Sequence, residues 1–481
     1  MNRTSRRQFF EDSIIAAAAA AAVVQAPIEL AAQESTHSAS ANETLSHAVI
    51  GCRIRGRVHA SEFAKQPGVA VTYVCDPDRE LAEELATSVE KQQGRRPKAV
   101  QDLREIYDDK TVDTVSIAAP NHWHALAAIW AMQAGKDVYV EKPVSHNVGE
   151  GRRMVQVARK TNRICQGGTQ YRSSGANAAA VEYMREGKLG DVKVARSIVY
   201  GGRGSIGEPG NYPIPSNVDY NLFMGPAELL PLTRPRLHYD WHWVWNTGNG
   251  ELGNNNIHSL DICRWGLGVT GLGRAVISYG GRVGYKDAGE TPNTQVCIFD
   301  FGDKTIVAET RGLKSAPFRI KGMAIFEGTE GIIADGSLFD LDGKLIRTFE
   351  RPGQNHFANF LAAVRSRKRE TLNAEIEEGH QSTALCHIGN ISYRLGQETP
   401  LKAISTQLAE LKVHENVLET FDRTVQHLRD NQVDLDQTIL TLGSLLTLEP
   451  AREQFANDAA ANALLTRTYR PPFVVPAENE I

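Results

Sequence analysis

Val49-Ile50-Gly51-Cys52-Arg53-Ile54-Arg55-Gly56 closes a short apolar run and opens a helical stretch. In that strand-turn-helix setting a glycine fingerprint holds a dinucleotide pyrophosphate. Asp76 follows Gly51 by 25 residues, at the end of the next apolar run. A carboxylate there accepts both ribose hydroxyls, which favours NAD over NADP; Arg79 nearby weakens that preference without removing it. Arg53 stands where the fingerprint has its second glycine, the residue that lets the backbone approach the phosphates. Its side chain either obstructs the pyrophosphate or contacts it. Gly51, Arg53, Gly56 and Asp76 are the first candidate cofactor residues.

The motif sits in a regular alternation. Strands are expected at Ala48 to Ile50, Val69 to Cys75, Val112 to Ala118 and Asp137 to Val140, with helices at Arg57 to Lys65, Asp78 to Gln93 and His124 to Ala134. Such alternation builds a parallel sheet with helices on both faces and a ligand crevice beyond the strand ends. Past residue 145 the pattern changes. Helices at 147–160 and 176–187 precede a strand at Val192 to Tyr200, and β-rich runs follow at 274–284, 293–301, 304–312 and 319–327. The fold class is therefore α/β: an N-terminal Rossmann domain (46–160), then an α/β domain (161–400) with an open, mainly antiparallel sheet. Residues 401–481 read as a helical C-terminal extension with an extended end at Tyr469 to Pro476. Gly and Pro supply twelve of the forty residues from Gly201 to Asp240, and a loop this long usually serves function.

With 481 residues, 41% hydrophobic and 23% charged, the composition is that of a globular protein of two or three domains. A net charge of −4 gives no basic footprint for nucleic acid. The six cysteines lie far apart without metal spacing and read as buried thiols. His122 and His124, two apart, would not share a helical face, so no metal is expected there. At the start of the chain, Arg6-Arg7-Gln8-Phe9-Phe10 precedes an apolar run from Ile14 to Val24, too short to span a bilayer. Residues 1–32 read as a twin-arginine-type export signal, which implies a periplasmic protein, and 33–45 as a linker.

Three further segments carry a resemblance. Ala118-Ala119-Pro120-Asn121-His122-Trp123-His124, Val140-Glu141-Lys142-Pro143, and Gly250 to Asp261 with Arg264-Trp265 resemble the Gfo/Idh/MocA family of nicotinamide-dependent oxidoreductases. The similarity spans residues 46 to about 400. It implies hydride transfer on sugars or cyclitols, and a C-terminal sheet often used to form homo-oligomers. It also implies that Lys142 is catalytic, that Glu141 and Pro143 shape the strand end beside the cofactor, and that Pro120, Asn121 and His124 lie near the nicotinamide. A Lys142 ammonium at the crevice can stabilise a developing alkoxide.

If residues 254–265 are helical, Asn254, His258, Asp261 and Trp265 share one stripe. His258, titrating near neutrality, can take the hydroxyl proton. Many family members carry Asp where this chain has Asn254, which cannot stabilise an imidazolium by charge. Tyr239, Trp241, Trp243 and Trp245 alternate and offer faces either to a sugar or to a buried strand. Gln170, Tyr171 and Arg172 are candidate substrate contacts or interdomain packing. Two other readings stay open: a redox-neutral glycosidase that uses bound NAD, and a non-catalytic sugar-binding protein.

Overall fold

In the computed structural model, residues 44–435 and 440–481 are described; the expected signal at 1–32 and nearly all of the linker at 33–45 lie outside the described residues. Strands β1 (Leu45–Ile50), β2 (Val69–Cys75), β3 (Lys98–Val100), β4 (Thr114–Ile117), β5 (Asp137–Val140) and β6 (Cys165–Gly167) form a sheet in the order β3-β2-β1-β4-β5-β6. Every pairing in it is parallel. Each residue of β4, β5 and β6 is buried, because helices cover both faces, as parallel sheets require. On one face, Phe63 and Leu85 of the helices Ile54–Ala64 and Arg79–Gln93 pack on Val49 and Val74. On the other, Leu126 and Ile129 of the helix Asn121–Gln133 join Met154 and Val155 of the helix Val148–Lys160. The strand order reverses between β1 and β4, and the crevice opens at their carboxyl ends.

The expected domain boundary at 160 is corrected in two places. Strand β6 completes the parallel sheet, and the helix His356–Ser366 returns to it, burying Phe357 and Phe360 against Phe63. Three-residue β6 is too short for its period to be read.

The second sheet has twelve strands: β7 (Val192–Tyr200), β8 (Ala275–Gly281), β9 (Thr294–Asp300), β10 (Thr305–Arg311), β11 (Ala324–Gly328), β12 (Gly331–Ala334), β13 (Ser337–Phe339), β14 (Leu345–Thr348), β15 (Gln397–Thr399), β16 (Leu440–Leu442), β17 (Leu446–Glu449) and β18 (Gln454–Phe455). Its main path runs β14-β13-β12-β11-β7-β10-β9-β8-β16-β15. The β7–β10 pair is parallel and the other pairs are antiparallel. The helices Ile257–Leu267 and Ile376–Arg394 cover its inner face. Ile404, Leu408, Phe421 and Leu428, from the helices Leu401–Leu408 and Val417–Asp430, cover Ile277, Val296 and Val307 on the outer face. So the chain itself covers part of the face that the resemblance assigned to subunit contact.

The C-terminal extension is not purely helical, which corrects the expectation: β16 and β17 pair with β8. Both carry Leu-Thr-Leu with the leucines buried, an alternation too brief to stand out from the flanking helical periodicity. All six cysteines are buried free thiols, and no helix among the described residues is long and apolar enough to cross a membrane.

Candidate active site

Gly51 has φ +88°, and a Cβ on it would lie 2.5 Å from the Ala118 carbonyl. At Gly56 a Cβ would lie 1.6 Å from Gly51 O. Both positions therefore require glycine, one for the turn and one for helix-strand packing. Arg53 does not: its φ of −91° is open to any residue, and its side chain is exposed. No side chain caps the helix that follows, so its first-turn N–H groups face the crevice as an anion site. Asp76, 7% exposed, accepts Cys52 N–H at 2.8 Å and Asp78 N–H at 2.9 Å. Burial raises its pKa, against the pull of those bonds. The carboxylate pins the turn and keeps lone pairs for ribose hydroxyls.

The long segment from Gly201 to Asn246 crosses between the domains. Arg79 N–H donates to Asn217 O, Asp219 N–H donates to Pro77 O, and His238 Nε2 lies 2.8 Å from Asp78 Oδ2. These contacts fold it over the carboxyl end of β2, next to Asp76.

Glu141, expected to face the cofactor, gives its carboxylate instead to Arg55 (2.6 Å) and His59 (3.0 Å), and is 3% exposed. Burial alone would raise its pKa, but the Arg55 guanidinium and the His59 bond hold it well below the carboxylate range. The peptide between Lys142 and Pro143 is cis. Lys142 Nζ donates to Asn254 O at 2.6 Å, bridging the Rossmann strand end to the second domain. Burial lowers its pKa while Glu141 opposes the fall.

His124, also expected near the nicotinamide, is 1% exposed, with Nδ1 2.6 Å from Pro143 O and Nε2 2.7 Å from Ala119 O. It ties the ends of β4 and β5 together. Asn121 is likewise buried and donates to Asn249 Oδ1 at 2.9 Å. Pro120 remains half-buried at the crevice.

On the second domain, residues Leu252–Asn256 form a π-helical turn before the helix Ile257–Leu267. The expected 100° stripe therefore breaks. His258, 7% exposed, sits 5.0 Å from the Tyr171 ring, ring centre to ring centre. Burial, then the Lys142 charge, push its pKa well below the usual value, so it is neutral rather than titrating near neutrality. Asp261 is fully buried, bound by Arg172 at 2.8 Å and Ser382 at 2.6 Å. Arg172 also reaches Glu378 and lies over Trp265. Asp261 and Arg172 thus form an internal ion pair, the packing role left open for Arg172.

The indoles do not lie on a strand, since Asp240–Trp243 is a 3₁₀ turn. Trp241 stacks on His242 with centroids 3.6 Å apart, and Trp243 packs under Arg203. The sequence reading missed Arg203 and Glu251, a pair at 2.9 Å whose charges both act on Lys142. Glu251 also accepts from the side-chain amides of Asn254 and Asn255. No local pattern announces this pair, because 48 residues separate its members.

Thr169 Oγ1, Gln170 Oε1 and His258 Nδ1 are buried without a partner among the described residues. Buried polar atoms normally have partners, and these three sit on the segments that carry Tyr171 and His258. With the uncapped helix and Asp76, they fit a dinucleotide and a polyhydroxylated ligand.

A crevice of this construction, closed by a second α/β domain, defines a two-domain dinucleotide-binding protein. Residues 45–169 match the family described as the Gfo/Idh/MocA oxidoreductase family, NAD-binding Rossmann fold, and residues 206–428 match its C-terminal alpha/beta domain. The chain belongs to the Gfo/Idh/MocA family.

Levoglucosan dehydrogenase of Pseudarthrobacter phenanthrenivorans is 27% identical over 240 residues, 49% of this chain and 54% of that protein. An alpha-N-acetylgalactosaminidase of Shewanella oneidensis is 27% identical over 147 residues, 30% of this chain and 32% of that protein. The chain thus aligns with about half the length of the first and a third of the second. Among solved structures, a levoglucosan dehydrogenase in complex with NADH has a TM-score of 0.53 at 20% identity, covering 72% of this chain and 95% of that one. The WlbA dehydrogenase from Bordetella pertussis, in complex with NADH and UDP-GlcNAcA, has 0.54 at 18%, covering 71% and 94%. At these identities the structures speak for the fold alone.

Proposed function

We propose that this protein is an NAD-dependent oxidoreductase that moves a hydride to or from a secondary alcohol carbon of a sugar or cyclitol, outside the cytoplasm after twin-arginine export. The observation that carries the reading is the Lys142 ammonium, which reaches Asn254 O on the second domain and whose charge acts on His258. NAD, when bound, supplies the hydride acceptor; Gly51, the uncapped helix Ile54–Ala64 and Asp76 would hold it. Lys142 Nζ exchanges its bond to Asn254 O for the substrate oxygen and stabilises the alkoxide. His258, held neutral by burial and the Lys142 charge, takes the hydroxyl proton on its ring, whose buried Nδ1 has no partner among the described residues. Because Lys142 is cationic beside it, the proton passes on readily once the alkoxide is gone. Arg203 and Glu251 balance charge around the ammonium.

Lys142→Met and His258→Ala are each expected to lower turnover by about 10²-fold or more, with the fold intact by circular dichroism. A folded variant at wild-type turnover would remove that residue from the mechanism. The similarity to the alpha-N-acetylgalactosaminidase supports a second reading, transient oxidation within a glycoside. Release of aglycone without net NADH would establish it.

A further inference from the structure

The segment 201–246 carries a histidine that the mechanism above leaves unused. Tyr239 has φ +69° and ψ −48°, and Asp240 N–H donates to His238 O at 2.9 Å. Together these make a γ-turn of the rare, strained hand. Such strain persists only where its surroundings enforce it, and it gathers at functional sites.

The turn directs the Tyr239 carbonyl at His242, whose backbone N–H and Nδ1 both reach it. A carbonyl can only accept, so Nδ1 carries the hydrogen and Nε2 is left as a lone-pair acceptor. Nε2 has no partner among the described residues, and it is not among the buried unpartnered atoms of this half-buried side chain. The ring is clamped by Trp241 on one side (3.6 Å) and approached by Tyr239 (4.8 Å) and Trp243 (5.8 Å). The charged and titratable groups that face it are Lys142, Arg203 and His124. His242 therefore borders the same charged pocket as Lys142.

We propose that His242 is a substrate-positioning residue whose Nε2 accepts a hydrogen bond from a second hydroxyl of the sugar or cyclitol, distinct from the one held by Lys142 and His258. The inference rests on the functional reading above and narrows its substrate class to polyols with at least two free hydroxyls. Burial, against the Tyr239 bond, and then Lys142 and Arg203 hold the His242 pKa at about 3. The ring thus stays neutral under working conditions, which suits an acceptor and not a proton carrier.

The test uses NAD-loaded protein with levoglucosan, D-glucose and myo-inositol, and with their monodeoxy derivatives. His242→Ala is expected to raise KM about tenfold, the worth of one neutral hydrogen bond, with kcat within about threefold. His242→Gln, whose amide oxygen can also accept, is expected to recover most of the loss. The KM effect should be flat between about pH 5 and pH 9, because no proton is gained or lost. One monodeoxy derivative should be disfavoured by wild type and lose that disadvantage in His242→Ala. An unchanged KM, or a kcat loss as large as that of Lys142→Met, would overturn the proposal while leaving the functional reading in place. If wild type neither turns over nor binds any of these sugars by calorimetry, the functional reading fails and the proposal fails with it.

Discussion

Charge state in the crevice is decided by burial and by Lys142 together. Both leave His258 neutral, and a neutral ring beside an ammonium accepts a proton only as the alkoxide forms. Arg53 shares the crevice mouth: its backbone needs no glycine, and its charge reaches the Asp240 carboxyl of the crossing segment. Arg53→Gly is expected to weaken NAD binding several-fold by calorimetry, since a guanidinium donates to phosphate at several points; tighter binding would assign Arg53 to obstruction. The turn at Gly51 and the position of Asp76 at the end of β2 were legible because each sits in a compact motif whose backbone setting can be read locally, whereas Lys142 was singled out by the family resemblance. For Arg172, which the sequence left between substrate contact and packing, and for Asp261, which it placed toward substrate, the pairing was hidden because 89 residues separate the partners. His242 was invisible because its open nitrogen depends on a turn at Tyr239 that no composition signals.

Element by element, the strands and helices of the first domain follow from their apolar periods, and the misses fall where periods are short or interrupted. The π turn at Leu252–Asn256 adds a residue to one turn and rotates everything after it, so a stripe drawn through Asn254 and His258 could not hold. The last segment of the chain straps the domains together. Arg467 donates to Asn246, Tyr469 OH donates to Glu150, and Arg470 donates to Asn221. Phe473, 1% exposed, packs edge-on against Trp123 at 5.5 Å. Phe473→Ala should cost about 3 kcal/mol or more through the cavity it leaves, read as a lowered unfolding midpoint in denaturant; an unchanged midpoint would mean the strap carries no stability.

Glu150 sits under the same strap, and burial raises its carboxyl to about 7, with Arg467 and the bonds from His146 N–H and Tyr469 opposing. Its folded pKa lies above the unfolded value of about 4.3. Its contribution is therefore fully present below that value and is lost as pH rises through 7. Glu150→Gln should remove this dependence and stabilise the protein at about pH 8 by as much as roughly 3 kcal/mol relative to its effect at about pH 4. Equal changes at both pH values would contradict the assignment.

For the molecule as a whole, the proposed catalytic groups come from both domains, and the contacts that cross the seam include Lys142 to Asn254, Asn121 to Asn249, the crossing segment on β2 and the C-terminal strap. A nicotinamide cofactor is made in the cytoplasm, so a protein exported already folded would load it before crossing and keep it afterwards. The crossing segment beside Asp76 suits slow release, and residence is where most affinity differences arise. Protein purified from the periplasm without added nucleotide is expected to release close to one NAD(H) per chain on denaturation; activity that depends on added NAD would end the retention idea and spare the rest.

The central claim is hydride transfer to NAD at Lys142, common to the dehydrogenase and glycosidase readings. It is tested most directly by incubating the NAD-loaded protein with a panel of carbon-deuterated sugars and cyclitols and weighing the nicotinamide nucleotide by mass spectrometry. The account predicts deuterium in the nucleotide from wild type and about 10²-fold less from Lys142→Met. Nucleotide that stays unlabelled with every sugar, in a protein that binds them, would contradict it.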